Sequence, residues 1–324
     1  MIGIAGIGVT FPDKVVDTWE KYAQPNGIRK DIWKRMGCYS TYVLEPPLTP
    51  TDLAVQAANK ALLEAKVNKN EVDLIICNNY NSEYLYWQTS AKIQSLLGCE
   101  NAYTFDVFGG CNAVGSVVRT AMDIMSQDSS IQNCLLVFTE AISGETWPQF
   151  ISDGACALLL KREYSDLVFL SHSQVSDIFP SFQRLPVGGT AEPFEKDMKF
   201  SGNVYENFEF SAENFRKEIK PIIYPSCEKA IREAIHKSGY KISNIDQIFL
   251  VHQQKYVNEK ILEMLDLELN LSPIDYIDDM GHVSGSDVFI CMKRAIEDGR
   301  IKKGDLLVFA VMGLMDFHSW VIRY

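Results

Sequence analysis

Three side chains have the type and setting for covalent chemistry. Cys111 follows two glycines in Phe105-Asp106-Val107-Phe108-Gly109-Gly110-Cys111-Asn112-Ala113-Val114-Gly115-Ser116, which reads as a strand, a tight turn and a helix. That order places the thiol at or near a helix N-terminus, where unpaired backbone N–H groups favour an anion by about 0.3–1 kcal/mol. The same field lowers a thiol pKa and raises its thiolate fraction. Gly109 and Gly110 permit the sharp turn and leave room for a substrate to approach the sulfur. His252 closes the apolar run in Leu250-Val251-His252-Gln253-Gln254, and strand C-termini are where sites form in open α/β sheets. His282 stands after a glycine and before another helix in Asp279-Met280-Gly281-His282-Val283-Ser284-Gly285-Ser286. A thiol with two imidazoles is the make-up of a nucleophilic site. Taken singly, each has a plainer reading, as a buried cysteine capping a helix or a packed histidine. His172, His236 and His318 lack such settings and read as structural or surface residues.

Alternating strands and helices must position these groups, an α/β pattern. Apolar runs predict strands over Ile2–Val9, Leu74–Asn78, Asn101–Val107, Cys134–Phe138, Ala155–Leu160, Ile248–His252, Leu306–Val311 and Trp320–Tyr324. Periodicity near 3.6 predicts helices over Leu53–Ala65, Tyr86–Leu97, Ala113–Ser126, Phe215–Lys237, Asn258–Leu265 and Ser286–Asp298. The chain also resembles itself. Lys60-Ala61-Leu62-Leu63-Glu64-Ala65 and then Val72-Asp73-Leu74-Ile75-Ile76 return as Lys229-Ala230-Ile231-Arg232-Glu233-Ala234 and Ile245-Asp246-Gln247-Ile248-Phe249. Leu135-Leu136-Val137-Phe138 returns as Leu306-Leu307-Val308-Phe309, and Gly110-Cys111 as Gly281-His282, both 171 residues on. Ordered matches at offsets of 169 to 173 predict a duplicated unit, with residues 1–168 and 169–324 as halves of one compact body. A pseudo-twofold between halves would bring the Cys111 and His282 turns to a shared cleft. Asp177–Asn207, with Pro180, Pro186, Gly188, Gly189 and Pro193, reads as a long irregular insertion.

Composition narrows the partners. A chain of 324 residues, 47% hydrophobic and 23% charged, argues against disorder, collagen and coiled coil. Its net charge of −11, with no strongly basic stretch, excludes nucleic acid and anionic membrane as natural partners. The longest apolar run, Leu306 to Met315, is too short to cross a bilayer. The opening Met1-Ile2-Gly3-Ile4-Ala5-Gly6-Ile7 has no basic segment before it and reads as a strand, not a signal peptide. Eight cysteines without a CxxC pair read as reduced thiols of a cytoplasmic protein, not as a disulfide framework or a metal site.

With these residues in hand, the chain resembles the thiolase-fold condensing enzymes, and among them the β-ketoacyl-acyl-carrier-protein synthase III family. The resemblance runs nearly the whole length. It is carried by the Asp106-to-Gly115 turn, Ile93-Gln94-Ser95-Leu96-Leu97-Gly98, Ser152-Asp153-Gly154-Ala155-Cys156-Ala157, Ser201-Gly202-Asn203 and Val251-His252-Gln253. Asp298-Gly299-Arg300-Ile301-Lys302-Lys303-Gly304-Asp305 and Val321-Ile322-Arg323-Tyr324 add to it. It implies a thiolase-like α/β fold of duplicated halves in five layers, αβαβα, and a homodimer without a permanently bound cofactor or metal. It also implies acyl-CoA or acyl-carrier-protein thioesters as substrates. Cys111 would hold the acyl group covalently. His252 and His282 would polarise the carbonyl of a malonyl-type extender, whose decarboxylation gives the attacking enolate. The backbone N–H groups of Cys111 and Gly313 would form an oxyanion hole. Trp33 and Arg35 match the family's coenzyme A contacts, Tyr86 a residue that crosses the dimer interface, and Asn203 a substrate contact.

Departures from the family shape the expectation. His282 stands where synthase III has asparagine, a change also seen in relatives that transfer acyl groups to oxygen or nitrogen. The last loop, Val311-Met312-Gly313-Leu314-Met315-Asp316-Phe317-His318, keeps one glycine of a glycine-rich segment. Glu145 replaces an adenine-binding arginine, and Asn258-Glu259-Lys260-Ile261-Leu262-Glu263-Met264 lacks the basic character that docks an acidic carrier. The leading expectation is therefore a specialised enzyme condensing a Cys111-bound acyl group with a malonyl- or β-ketoacyl-thioester, in fatty-acid-like or polyketide biosynthesis. Acyl transfer to an alcohol or amine is the alternative. A silent partner subunit of another synthase is the third reading, which retention of Cys111, His252 and His282 opposes.

Overall fold

The computed structural model describes residues 1–79, 83–84, 86–141, 151–177, 183–184, 193, 209–313 and 316–324. Most of the Asp177–Asn207 insertion, Glu145 and Asn203 lie outside the described residues.

Nine strands form the main sheet: β1 (Ile2–Thr10), β2 (Leu74–Asn79), β3 (Tyr103–Phe108), β4 (Asn133–Glu140), β5 (Gly154–Arg162), β6 (Val168–Ser176), β7 (Gln247–Leu250), β8 (Leu306–Met312) and β9 (Asp316–Arg323). Their order is β7-β8-β9-β6-β1-β5-β4-β2-β3. In the first five strands of the chain, β1 runs antiparallel to β5 and β5 to β4, while β4 and β2, and β2 and β3, are parallel. The other four repeat the pattern, with β6 antiparallel to β9, β9 antiparallel to β8, and β8 parallel to β7. The two runs meet at a single backbone pair, Gly3 with Val168.

Six main helices cover these strands: α1 (Pro50–Ala65), α2 (Thr89–Leu97), α3 (Ala113–Gln127), α4 (Lys220–Ser238), α5 (Lys255–Met264) and α6 (Asp287–Glu297). Three apolar clusters show the layering. Alanines and leucines of α1, with Ile93 and Leu97 of α2, pack on β2, β4 and β5. On the far side, α4 and α5 pack on β7, β8 and β9. Between the strand runs lie α3 and α6, contributing Val114, Val117, Phe289 and Met292 to one central core. This is the five-layer αβαβα thiolase-like arrangement.

Local chemistry explains the elements. Thr49 and Asp52 form a reciprocal capping box at the start of α1, with Pro50 as its first residue. The alanine face of α1 sits so close to β1 that a Cβ on Gly8 would fall 1.8 Å from the Ala57 carbonyl oxygen. A ladder of rings spans the centre. Phe138 of β4 stacks on Phe289 of α6 at 6.1 Å, Phe289 on Phe309 of β8 at 5.7 Å, and Phe309 on Phe249 of β7 at 4.9 Å. Each such pair contributes roughly 0.5–1.5 kcal/mol beyond burial, so the ladder ties both strand runs to the helix that begins at the site.

Candidate active site

Cys111 occupies the turn between β3 and α3, two residues before the first helical position, and is half-buried. Asn78 at the end of β2 holds that turn, its side-chain N–H donating to the carbonyls of Val107 at 3.0 Å and Gly109 at 3.3 Å. Asp106 braces the strand beneath it. Its carboxylate accepts from the backbone N–H groups of Thr89 (2.7 Å) and Ser90 (2.8 Å), capping α2 from a distant part of the chain.

The His282 turn leads into α6 and meets the Cys111 turn face to face. Gly285 makes this contact possible: a Cβ there would lie 2.0 Å from the Cys111 carbonyl oxygen. The turn is held from the other side by Ser152, whose N–H donates to the His282 carbonyl at 2.8 Å. The result is a line of three side chains. Cys111 Sγ lies 3.3 Å from His282 Nε2, and His282 Nδ1 lies 2.6 Å from Asp287 Oδ2. Asp287, fully buried in the first turn of α6, also accepts the backbone N–H of Val283 at 2.6 Å and of His252 at 2.8 Å.

Electrostatics follow from this geometry. Burial works against charge on His282, but the Asp287 carboxylate and the Cys111 sulfur raise its pKa well above the ordinary value. Burial raises the Cys111 thiol, and the opposing charge and hydrogen bond of His282, with a hydrogen bond from Ser284, bring it below its ordinary value. The pair is therefore a thiolate and an imidazolium, a nucleophile with its proton beside it.

His252 departs from expectation. The paired-donor arrangement requires both imidazoles at the sulfur, yet His252 turns Nε2 to the buried thiol of Cys291 at 3.3 Å. The reason lies in α6: Asp287 takes the His252 backbone N–H, and Cys291, one helical turn on, faces the same way. Burial keeps the His252 ring below its ordinary pKa and the Cys291 thiol well above its own, so both are neutral.

Gly313 also needs correction as an oxyanion donor. It packs against Asn112, next to the nucleophile, but its N–H donates to the Asp316 carbonyl at 3.2 Å within the β8–β9 connection. Trp33 sits on the short helix Lys30–Met36, its indole N–H donating to Thr18 Oγ1 at 3.0 Å between the rings of Trp19 and Tyr39. Arg35, on the same helix, lies over the Tyr256 ring at 5.8 Å. Tyr86 is fully exposed and lines a surface cavity of about 530 Å³ with Tyr84, Trp87, Lys92, Ser95 and Leu96. None of these contacts involves Cys111.

Asp287, Ser284 and Glu140 were not among the expected site residues. An aspartate opening a helix reads as a partner for the helix dipole, and nothing local distinguishes one that also orients a histidine five residues earlier. Glu140, at the end of β4, is 3% exposed and lies among Cys111, His282, Ser284 and Asp153.

Comparison with known proteins agrees with the geometry. Residues 235–319 match the family described as 3-oxoacyl-[acyl-carrier-protein (ACP)] synthase III C terminal. The β-ketoacyl-[acyl-carrier-protein] synthase III of Caldanaerobacter subterraneus subsp. tengcongensis is 24% identical over 333 residues, covering 99% of this chain and 97% of that protein. The crystal structure of 3-oxoacyl-[acyl-carrier-protein] synthase III from Aquifex aeolicus VF5 superposes with a TM-score of 0.82 at 21% identity, covering 100% of both chains. The acyltransferase ChlB3 superposes with a TM-score of 0.83 at 17% identity, covering 99% of this chain and 97% of that one. With the nucleophile turn, the layered sheet and the C-terminal match in agreement, the chain is a β-ketoacyl-acyl-carrier-protein synthase III-like protein of the thiolase fold.

Proposed function

We propose that this protein is an acyltransferase of the β-ketoacyl synthase kind. It loads an acyl group from a coenzyme A or carrier-protein thioester onto Cys111 and condenses it with a malonyl- or β-ketoacyl-thioester, in fatty-acid-like or polyketide biosynthesis. The carrying observation is the line from Cys111 through His282 to Asp287. In loading, the thiolate attacks the thioester carbonyl and the departing thiol takes a proton from His282 Nε2. In condensation, a recharged His282, kept cationic by Asp287, donates Nε2–H to the extender carbonyl as carbon dioxide leaves and the enolate forms. The enolate attacks the acyl-cysteine, and the Cys111 backbone N–H faces the oxygen of the tetrahedral intermediate. The test is to supply an acyl thioester and a malonyl donor and to follow carbon dioxide with the mass of the Cys111 adduct. Carbon dioxide release that disappears in Cys111→Ala supports condensation.

One observation favours a second reading, transfer of the Cys111 acyl group to an alcohol or amine. A single imidazole faces the sulfur, and with Asp287 behind it that imidazole, once neutral, can take a hydroxyl or amine proton. Adduct turnover by an alcohol or amine without carbon dioxide would select it.

The reading extends to partners. Trp33 and Arg35 are the proposed coenzyme A contacts. A homodimer is supported by β3, the last strand of the sheet, where Tyr103 is 67% and Phe108 76% exposed, and by the Tyr84, Tyr86 and Trp87 surface. Exposed sheet edges and aromatic patches favour association, and sedimentation velocity measures it. A cytoplasmic setting is supported by the eight free cysteines. Among the described residues no helix is long and apolar enough to cross a membrane.

A further inference from the structure

Condensation and transfer to an alcohol differ in their proton balance. When His282 protonates the departing thiol during loading, it is left neutral, with Nε2 bare. An alcohol or amine acceptor returns a proton to Nε2 as it attacks, so that cycle closes by itself. A malonyl extender brings no such proton: it loses carbon dioxide, its enolate forms the carbon–carbon bond, and Cys111 departs as a thiolate. Each condensation cycle therefore consumes one proton, which must reach His282 from within a buried site.

Glu140 is placed to supply it. Its side chain is 3% exposed, and Oε1 has no hydrogen-bond partner among the described residues. The groups facing it are Cys111, His282, Ser284 and Asp153. Of these, Asp153 is occupied elsewhere, its Oδ2 accepting from the Leu44 N–H at 2.6 Å. Ser284 is the connecting group, since its hydroxyl is a hydrogen-bonding neighbour of both the Glu140 carboxyl and the Cys111 sulfur. Its backbone has φ of 56°, the left-handed region that serines seldom adopt and that clusters at functional sites. A strained residue thus bridges a buried acid and a nucleophile.

We propose that Glu140 is the proton donor that recharges the Cys111–His282 pair in each condensation cycle, working through the Ser284 hydroxyl. In the step, the Glu140 O–H bond breaks and its proton goes to Ser284 Oγ, while the Ser284 hydroxyl proton passes to His282 Nε2. Glu140 is left as a carboxylate and takes its next proton from solvent. Burial, reinforced by the negative charge of Cys111 and Asp153, holds the Glu140 carboxyl well above the ordinary carboxylate range, so it carries a proton to give. The proposal rests on the condensation reading.

The test separates the two half-reactions in Glu140→Gln, which keeps shape and removes the proton. Loading is followed by intact mass with an acyl thioester alone, and condensation by adding a malonyl donor to the preloaded enzyme. The ratio of loading rate to condensation rate should rise at least about tenfold over wild type, the lower range of acid–base effects. The remaining condensation should speed up as pH falls, because solvent now supplies the proton. Glu140→Asp should restore part of the rate, and Ser284→Gly, which suits the left-handed backbone, should reproduce the Glu140→Gln ratio. An unchanged ratio, whether both half-reactions fall together or neither falls, overturns the donor role. If wild type itself releases no carbon dioxide, the condensation reading fails and the proposal falls with it. If wild type releases carbon dioxide and the ratio is unchanged, the donor role alone is lost.

Discussion

Asp287 Oδ2 lies 2.6 Å from His282 Nδ1, and both side chains are buried. An ionised carboxylate only accepts, so Nδ1 carries the hydrogen and Nε2 faces the sulfur. Asp287→Asn can present an N–H instead and favour the opposite tautomer. Acylation of Cys111 by an acyl thioester should fall about 10²–10⁴-fold, in line with the same change in other triads. Asp287→Ala should in addition destabilise the fold, because the Val283 and His252 backbone N–H groups lose their acceptor, at roughly 1–3 kcal/mol each. Rapid-quench mass measurements and urea denaturation check the two effects separately.

The thiolate–imidazolium pair has a pH signature. Since the Cys111 thiol is held below its ordinary pKa and His282 above its own, the ion pair occupies the window between them. Iodoacetamide alkylation of Cys111 should already be near its plateau at pH 7 and should decline only on acidification. In His282→Ala, burial acts without the opposing charge, so the alkylation midpoint should move up past the ordinary thiol value. A midpoint shared by wild type and variant would contradict the pairing.

Gly285 sets the approach of the two turns. In Gly285→Ala the new Cβ would fall 2.0 Å from the Cys111 carbonyl oxygen, so the turns must part. Overpacking of this kind costs about 1–3 kcal/mol, and separation of His282 from the sulfur should raise the alkylation midpoint. A thermal melt and the same alkylation profile read both outcomes.

A second histidine pair governs acid stability away from the site. His172 Nε2 lies 3.2 Å from His318 Nδ1, and burial, the largest cause, lowers His172 to about 3 and His318 to about 4. Unfolded, each histidine takes a proton near pH 6.5. Between these values the unfolded chain binds more protons, so stability rises with pH across the window and is lost as pH falls from about 6.5 toward 4. His318, 1% exposed, contributes roughly 3 kcal/mol of this dependence. His318→Asn should flatten the curve, measured as urea midpoints at several pH values.

The legible parts of the molecule were those written locally. Continuous apolar runs located β1, β2 and β4 to within a residue or two, and periodicity did the same for α3 and α6. Helix α2 begins at Thr89, three residues after the periodicity suggests, because its cap is the carboxylate of Asp106 from the next strand. Strand β6 was missed. Its Ser171, His172, Ser173 and Gln174 read as a polar connection until they pair with β9. At the site, types and spacing singled out Cys111 and His282, but the direction of His252 depends on Cys291 and Asp287, residues remote in sequence and adjacent only through α6.

Seven of the eight free cysteines are buried and only Cys111 is partly open to solvent. Folded protein should therefore react with one equivalent of a disulfide-exchange dye quickly, and with eight after denaturation. The ratio of these two absorbance steps counts competent active centres in any preparation without knowledge of the substrate. Mild peroxide would be expected to silence the enzyme through one sulfenic acid while the core remained intact, a lesion that thiol reductants would reverse.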